Sequence, residues 1–355
     1  MPDSNNIRRA APSDLAAIRR LFSQRDERAW TEDQVAWSLH GLDPGRCLAW
    51  LAFVDGAPVG LTSVYLRDLM VAQTRVRAAY WANLYIDPGH RDRMLYPRLP
   101  MAMFTALRQA GVPLLYAAVR RQDVAEAHTA IGFQRLGDFS LLLKPLRPAR
   151  LLARHRGLRS AVPLARPLDA AFSLVRAALR PRAPARIAAV ELSEPSPLLL
   201  DASSATIRHL WTPDELAHRY SQTREGTGHE HLEIRDGDAP VGALSWRIAE
   251  RSGDAPSLPI RVGVLLDLAV PAERPDLLRP ALAAFERRAH AAGCDALLAL
   301  DGLGPAVRHQ LRRAGFLATR ERYTLVLWPK AALTATPALA EFTAWRLALA
   351  DHDAF

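Results

Sequence analysis

The chain has 355 residues, enough for two domains with a core each, and its 49% apolar and 23% charged residues give a globular composition. No apolar run approaches the roughly 18 residues needed to span a bilayer, the opening MPDSNNIRRA lacks the apolar core of a signal peptide, and Cys47 and Cys294 sit in separate halves without metal-ligand spacing. These features argue against an integral membrane protein and a disulfide-stapled secreted domain, and predict a cytoplasmic protein with buried thiols and no metal.

In chain order, Ile7–Ala10 reads as a first strand, and Ser13-Asp14 caps a helix to about Ser23 with Leu15, Ile18 and Leu21-Phe22 on one face. Thr31 caps a second helix whose first turn is acidic. Cys47–Val54 and Val59–Tyr65 read as strands joined by the hairpin turn Asp55-Gly56. Tyr80–Ile86 is an aromatic and apolar strand that stops at Asp87-Pro88-Gly89. The turn carries Arg91, Asp92 and Arg93, and Leu95, Leu99, Met103 and Leu107 then mark the buried stripe of a helix. Pro97 and Pro100 lie near its start, where a missing N–H costs least, and Gly111 ends it. A strand over Pro113–Val119, a helix over about Val124–Ala130, the turn Gly132-Phe133 and a strand over Phe139–Leu143 complete the first half. A basic turn feeding a helix N-terminus is an anion site, because free N–H groups and the helix dipole both point there.

The same order of landmarks returns in the second half. Trp30-Thr31 recurs as Trp211-Thr212, an offset of 181, and Val59-Gly60 as Val241-Gly242, an offset of 182. Pro88, Arg91 and Pro97 recur as Pro271, Arg274 and Pro280 at 183, Gly111 as Gly293 at 182, and Gly132-Phe133 as Gly315-Phe316 at 183. The spacing predicts a tandem duplication, with an N-terminal lobe at 1–146, a linker at 147–186, a C-terminal lobe at 187–330 and a tail at 331–355. The linker holds ten arginines and one acidic residue, Asp169; its net charge of +9 equals that of the whole chain. Leu168, Phe172 and Val175 fall on one side of an amphipathic helix there. Either that helix packs across the lobes with its arginines solvated, or it forms a surface for anionic lipid or an acidic carrier protein. Nucleic acid is disfavoured, since no aromatic residues interleave the arginines.

The order hairpin, strand, helix, strand, helix, strand, with Ile86-Asp87-Pro88 followed by Arg91, resembles the acyl-CoA site of the GNAT (GCN5-related N-acetyltransferase) superfamily. Its fingerprint is V/I-x-P, then R/Q-x-x-G-x-G/A opening a helix; here Met94 and Tyr96 stand at the two small positions. The resemblance implies an α/β fold of α+β mixed-sheet type, built as two tandem GNAT-like lobes joined by the basic linker. It further implies direct N-acyl transfer from acetyl-CoA or another acyl-CoA to a small-molecule amine. The donor would lie against Leu84, Ile86, Arg91, Asp92, Arg93, Met94, Leu95 and Tyr96.

In that superfamily a fourth-strand amide polarises the thioester carbonyl, and an acid, often a tyrosine after the fifth strand, protonates the leaving thiolate. Counted back from Gly132-Phe133, the tyrosine position of the motif N-x-x-A-x-x-L-Y-x-x-x-G-F holds His128, which can donate a proton near neutral pH; the competing reading is a surface histidine. The strand Tyr80–Ile86 has no carboxylate, so Tyr80 and Asn83 are expected to line the acceptor side, with Tyr85 a weak candidate for catalysis. In the second half, Arg274 survives, but Leu277 and Arg279 replace the small residues and Leu311 the tyrosine. Asp267, alone in the apolar strand VGVLLDLAV, is either a substrate-side or basic group or a structural carboxylate. Trp345, Asp351 and Asp353 of the tail lie within reach of an acceptor site or simply dock.

Two other readings stay open at this stage. One is a catalytically inactive two-lobed binding or scaffold protein, and the other an acyltransferase that takes its donor from an acyl-carrier protein. The expected location is the cytoplasm, including the periphery of the inner membrane surface.

Overall fold

The computed structural model describes residues 5–179, 186–200, 207–222, 228–252 and 257–352. Local chemistry sets the first elements. Strand β1 (Asn5–Arg9) leads to α1 (Leu15–Asp26), which buries Ile18, Leu21 and Phe22. Helix α2 (Glu32–Ser38) opens on a capping box: Thr31 accepts from the Gln34 N–H, and Gln34 reaches back to the Thr31 N–H. Strands β2 (Cys47–Val54), β3 (Ala57–Val71) and β4 (Thr74–Ile86) form a meander, followed by α3 (Leu95–Gln109), β5 (Leu114–Val119), α4 (Gln122–Ala130) and β6 (Gln134–Pro145). Strands β3 and β4 run further than their apolar cores predict. The extension pairs Leu66–Val71 with Thr74–Ala79, and Asp68 bridges to Arg75 and Arg77 across it.

Helices α5 (Pro148–His155), α6 (Ala161–Leu164) and α7 (Arg166–Leu179) follow, then β7 (Ile187–Leu192), β8 (Ile207–His209) and α8 (Pro213–Ser221). Helix α8 repeats the capping box through Thr212 and Glu215. The remaining elements are β9 (His229–Asp236), β10 (Ala239–Arg251), β11 (Ile260–Ala269), α9 (Leu278–Ala291), β12 (Ala296–Leu300), α10 (Pro305–Arg313), β13 (Leu317–Trp328) and α11 (Lys330–Ala335).

Two compact units result, and neither is a contiguous lobe. The first comprises Met1–Asp138, Thr206–Leu210 and Tyr323–Ala344; the second comprises Phe139–Ala205, Trp211–Arg322 and Trp345–Phe355. Strands of the first run β1-β2-β3-β4-β5-β13, with β8 added to β3. Strands of the second run β7-β9-β10-β11-β12-β6, the same order of equivalents. Each repeat therefore gives its last strand away. Residues 141–145 of β6 pair antiparallel with β12, from Leu141↔Leu300 to Pro145↔Ala296, and residues 324–328 of β13 pair with β5, from Thr324↔Val119 to Trp328↔Leu115. The reason lies in length: β6 and β13 have 12 residues each, about 40 Å, against six in β5 and five in β12. The segment expected as a linker is likewise part of the second unit, where the Asp169 carboxylate accepts from the N–H groups of Ala149 (2.9 Å) and Arg150 (3.2 Å) and so caps α5.

In the first unit the core lies between α3 and one face of the sheet. Leu95, Leu99, Met103, Phe104 and Leu107 pack on Trp50, Ala52, Val64, Ala79 and Trp81. In the second, Lys144 of the exchanged strand β6 makes a buried ion pair with Glu286 of α9 (Nζ–Oε2 2.6 Å). Lys144→Ala should lower the stability of the chain by about 3–5 kcal/mol, because it strands the Glu286 carboxylate in the interior. Lys144→Met combined with Glu286→Leu should recover most of that loss, measured as urea midpoints.

Candidate functional site

The site grows out of a short parallel pairing. Strands β4 and β5 are in register only at Ala78↔Leu114, Ala79↔Leu115 and Tyr80↔Tyr116. Beyond Tyr80 they separate, and Trp81–Ile86 keeps only β3 as partner. A bulge accentuates the split: Leu61↔Tyr85 is followed by Ser63↔Ala82, so β4 carries extra backbone at Asn83-Leu84, and Asn83 adopts φ 55°. The β5-facing edge of Trp81–Ile86 thus offers backbone N–H and C=O groups to an extended ligand.

That edge leads into a phosphate-sized turn. The Asp87 carboxylate accepts from the Gly89 N–H (2.9 Å), and Pro88–Arg93 makes a 3₁₀ run that delivers Met94 to the start of α3. Met94 has φ 55° and ψ 28°, the left-handed conformation that glycine adopts most cheaply. Its side chain is 67% exposed, and the backbone holds the glycine geometry without a glycine, at the local steric cost a Cβ brings there. Leu95 is buried beneath the turn, Asp92 and Arg93 are exposed at its rim, and Arg91 donates from Nε to the Ile86 carbonyl (3.3 Å). Ile86 and Leu84 belong to the core beneath the strand rather than to its open edge by their side chains.

Behind the open edge stands an aromatic cluster. His128 of α4 is buried with its ring 4.1 Å from Trp81 and 5.2 Å from Phe133. Its Nδ1 donates to the Val124 carbonyl (2.7 Å) and lies 3.4 Å from the Tyr96 hydroxyl. Burial pushes the imidazole down to about 4. His128 is therefore neutral at pH 7 and is not the imidazolium donor that its sequence position suggested. The neighbouring hydroxyl is Tyr96, at the second small position of the fingerprint, whose phenol burial pushes up to about 12. A neutral hydrogen-bond donor thus reaches this place from α3 instead of α4. Sequence spacing gives no sign of that meeting, since the two residues lie 32 apart.

On the other face of β4, Asn83 organises a polar network. Its Nδ2 donates to Ser63 Oγ (3.1 Å) and the Tyr65 hydroxyl (2.9 Å), and its Oδ1 accepts from Arg25 (2.9 Å). Arg25 is gripped in two-pronged fashion by Asp26 (2.7 and 2.9 Å). The network brings a carboxylate to a strand that lacks one in sequence. Neither Arg25 nor Asp26 stood out in the sequence, where the helix was expected to end at about Ser23. Tyr80, expected at the acceptor side, is instead fully buried against Tyr116 (5.1 Å between ring centres) with the Arg67 guanidinium 4.6 Å over its ring. Tyr85 is half-buried, and burial, then the Asp87 charge, raises its phenol, so it stays protonated at neutral pH and supplies no base.

The second unit repeats the split and then closes it. Strands β11 and β12 pair only at Val262–Val264 with Ala296–Leu298. Asp267, beyond that point on β11, is fully buried and paired with Arg346, which also donates to the Leu268 carbonyl (3.3 Å). The Leu347 N–H donates to the carbonyl of Gly302, just past β12 (2.8 Å). A Cβ on Gly302 would stand 2.5 Å from the Leu347 oxygen, so the approach requires glycine. Residues Arg346 and Leu347 thereby bridge the two diverging strands. Asp267 is thus enclosed with Arg346 as its charged partner, and burial raises its pKa above the usual carboxylate range. Trp345 and Asp351 are buried in the same packing, and Asp351 accepts from the Ala348 N–H (2.7 Å); Asp353 lies outside the described residues. Arg274, the counterpart of Arg91, is held by Asp236 (3.1 Å) and Asp276 (2.9 Å), whose carboxylates raise its pKa. No group of three or more His, Cys, Asp and Glu residues suited to a metal occurs among the described residues.

The neutral state of His128 has a consequence for pH dependence. Its folded pKa lies below the ordinary value of 6.5, so the unfolded chain binds a proton that the folded chain refuses. Its stabilising contribution is complete above pH 6.5 and is lost as pH falls toward 4, by about 3 kcal/mol for this one group. His229 and His231, pushed down by burial to about 3 and about 4, act in the same direction. The melting temperature should therefore fall steeply between pH 6.5 and 4, and His128→Phe should reduce that slope.

No protein-family model and no curated protein sequence matches the chain. Solved structures do. A GCN5-related N-acetyltransferase from Anabaena variabilis superposes with a TM-score of 0.58 at 11% identity, over 91% of this chain and 72% of that one. N-myristoyltransferase from Saccharomyces cerevisiae with bound myristoyl-CoA gives 0.61 at 13% identity, over 92% and 83%. Eis1 from Mycobacterium abscessus gives 0.55 at 17% identity, over 94% and 75%. A common fold with little common sequence is what these values describe: the chain carries the mixed α/β fold of the GNAT N-acetyltransferases and of N-myristoyltransferase.

Proposed function

We propose that the protein is an acyl-CoA-dependent N-acyltransferase whose donor binds in the first unit, and that duplication of one such lobe gave rise to the second. The observation that carries this reading is the open edge of β4 at Trp81–Ile86, running without interruption into the left-handed turn at Met94 and the start of α3. An extended pantetheine arm matches the strand edge, and a pyrophosphate matches the turn, where helix N–H groups and Arg91 converge. In the solved N-myristoyltransferase the same fold holds myristoyl-CoA. The second unit lacks an open edge because Arg346 and Leu347 bridge it, which leaves one donor site per chain.

In this reading the acceptor amine gives up its extra proton to solvent and attacks the thioester carbonyl as the neutral amine. The C–N bond forms as the C–S bond breaks, the sulfur leaves as a thiolate, and the surplus N–H proton passes to that thiolate through water. A backbone N–H of the bulged segment Asn83-Leu84 is the donor to the developing oxyanion. The Tyr96 phenol, protonated at neutral pH, donates a hydrogen bond to the departing thiolate, with His128 fixing its position. The Arg25–Asn83 network lies on the acceptor side of the strand, where its Asp26 carboxylate favours a cationic amine.

Calorimetry with acetyl-CoA, longer acyl-CoAs and free CoA tests the donor site. One site per chain is expected. Arg91→Ala should weaken CoA by about 1.5–3 kcal/mol, the worth of a charge-assisted hydrogen bond to phosphate. Arg274→Ala should leave it unchanged, since that guanidinium is already committed to two carboxylates. Equal losses at the two arginines, or no binding of any CoA, would refute the assignment. With an amine panel as acceptors, Tyr96→Phe should lower turnover by roughly 10²-fold while sparing CoA affinity, because its bond strengthens only as the thiolate forms.

A further inference from the structure

Helix α7 is packed inside out. Among the described side chains, those that face the rest of the second unit are small or polar: Ala165 just before the helix and Asp169 are buried, and Ser173 is half-buried and bonded to His290 (3.1 Å). Large apolar side chains here and at the end of α6 face solvent. Leu164 is 74% exposed, Leu168 65%, Leu174 72% and Val175 57%, and Leu152 and Leu158 continue the apolar surface before it. A free-standing soluble surface turns such a stripe inward, so an outward one marks a surface that meets something apolar.

The same place is cationic. A cavity of about 630 Å³ opens between α7 and α9, lined by Arg147, Arg150, Arg166 and Arg287. Both of its carboxylates are already engaged, Asp169 as the cap of α5 and Glu286 with Lys144. Arg147 is spent on the carbonyls of His290 and Cys294, and Arg150 faces Asp295. Arg166 and Arg287 are exposed at the cavity and have no ion pair with another described residue. Arg156 and Arg159 add two exposed cations on the approach to α7.

We propose that this face docks on an anionic phospholipid bilayer. Helix α7 lies in the interface with Leu168, Leu174 and Val175 among the acyl chains, joined by Leu164 at the end of α6, and a lipid phosphate enters the cavity between Arg166 and Arg287. Charge alone would equally suit an acidic carrier protein. Such a partner presents carboxylates, however, and would leave the four aliphatic side chains against a polar surface. Apolar residues outward with arginines flanking them is the pattern of a helix lying in a membrane interface. The argument rests on this face of the second unit alone, so the proposal stands whether or not the acyltransferase reading holds.

Vesicle flotation of the full chain at low salt tests it, with phosphatidylcholine alone and with about a third phosphatidylglycerol. Binding to the anionic vesicles and little to the neutral ones is expected. Leu168→Glu with Val175→Glu should weaken binding at least tenfold. Arg166→Gln with Arg287→Gln should remove at least tenfold of the preference for anionic lipid and flatten the salt dependence. All four side chains are exposed, so melting temperatures should not change, which separates lost docking from lost folding. The proposal is overturned if the unaltered chain ignores anionic vesicles, or if either double variant binds them as well as the parent. Loss in these variants of binding to a holo acyl-carrier protein, with vesicles unbound throughout, would assign the face to that protein partner instead.

Discussion

The proposed site depends on where a parallel pair of strands stops pairing. Backbone hydrogen bonds join β4 to β5 over three residues, and the sheet then opens. Unpaired N–H and C=O groups at a sheet interior are costly unless water or a ligand satisfies them. In the first unit the edge runs on into a turn and a helix N-terminus. In the second the chain supplies its own occupant, with Arg346 neutralising Asp267 and the Leu347 N–H meeting Gly302. One geometry is thus kept open in one copy and sealed in the other.

The exchange of last strands follows from the same architecture. A 12-residue strand outruns the short parallel strand beside it, and its second half pairs in the other unit. The arrangement makes each unit depend on the whole chain, since β12 is covered by β6 and β5 by β13. It also explains why the contiguous lobes suggested by the repeat are not the compact units. The repeat tracks the order of elements along the chain, and compactness tracks which strands lie side by side. Buried charges then lock the exchange in place, with Lys144 of β6 held by Glu286 of α9.

The polar groups around the site divide by burial. His128 and Tyr96 are both kept neutral, the one by loss of its proton and the other by keeping it, because burial penalises either charged form. Both can therefore take part in hydrogen bonds but bring no charge to that face. Across the strand, Asn83 holds Arg25, and Asp26 holds Arg25 from the far side, so a charged pair stands there instead.

The sequence by itself determined the order of elements, the turn at Asp87–Arg93, the helix that follows and the recurrence of those landmarks about 182 residues later. These are local facts, written in periodicity, capping residues and turn glycines, and each is decided within a few residues. Tertiary structure alone decided the rest. Met94 holds a glycine's backbone angles with its side chain in open solvent, which no motif comparison reveals. Tyr80 is core and Asp267 is an ion-pair partner because Arg67 and Arg346, distant in the chain, come to meet them. Leu168 and Val175 have the spacing of a buried stripe and face outward, because Asp169 and Ser173 on the adjoining face find the capping and hydrogen-bonding partners that fix the helix the other way round. Spacing says that two residues share a face; only the partners present in space say which face is turned in.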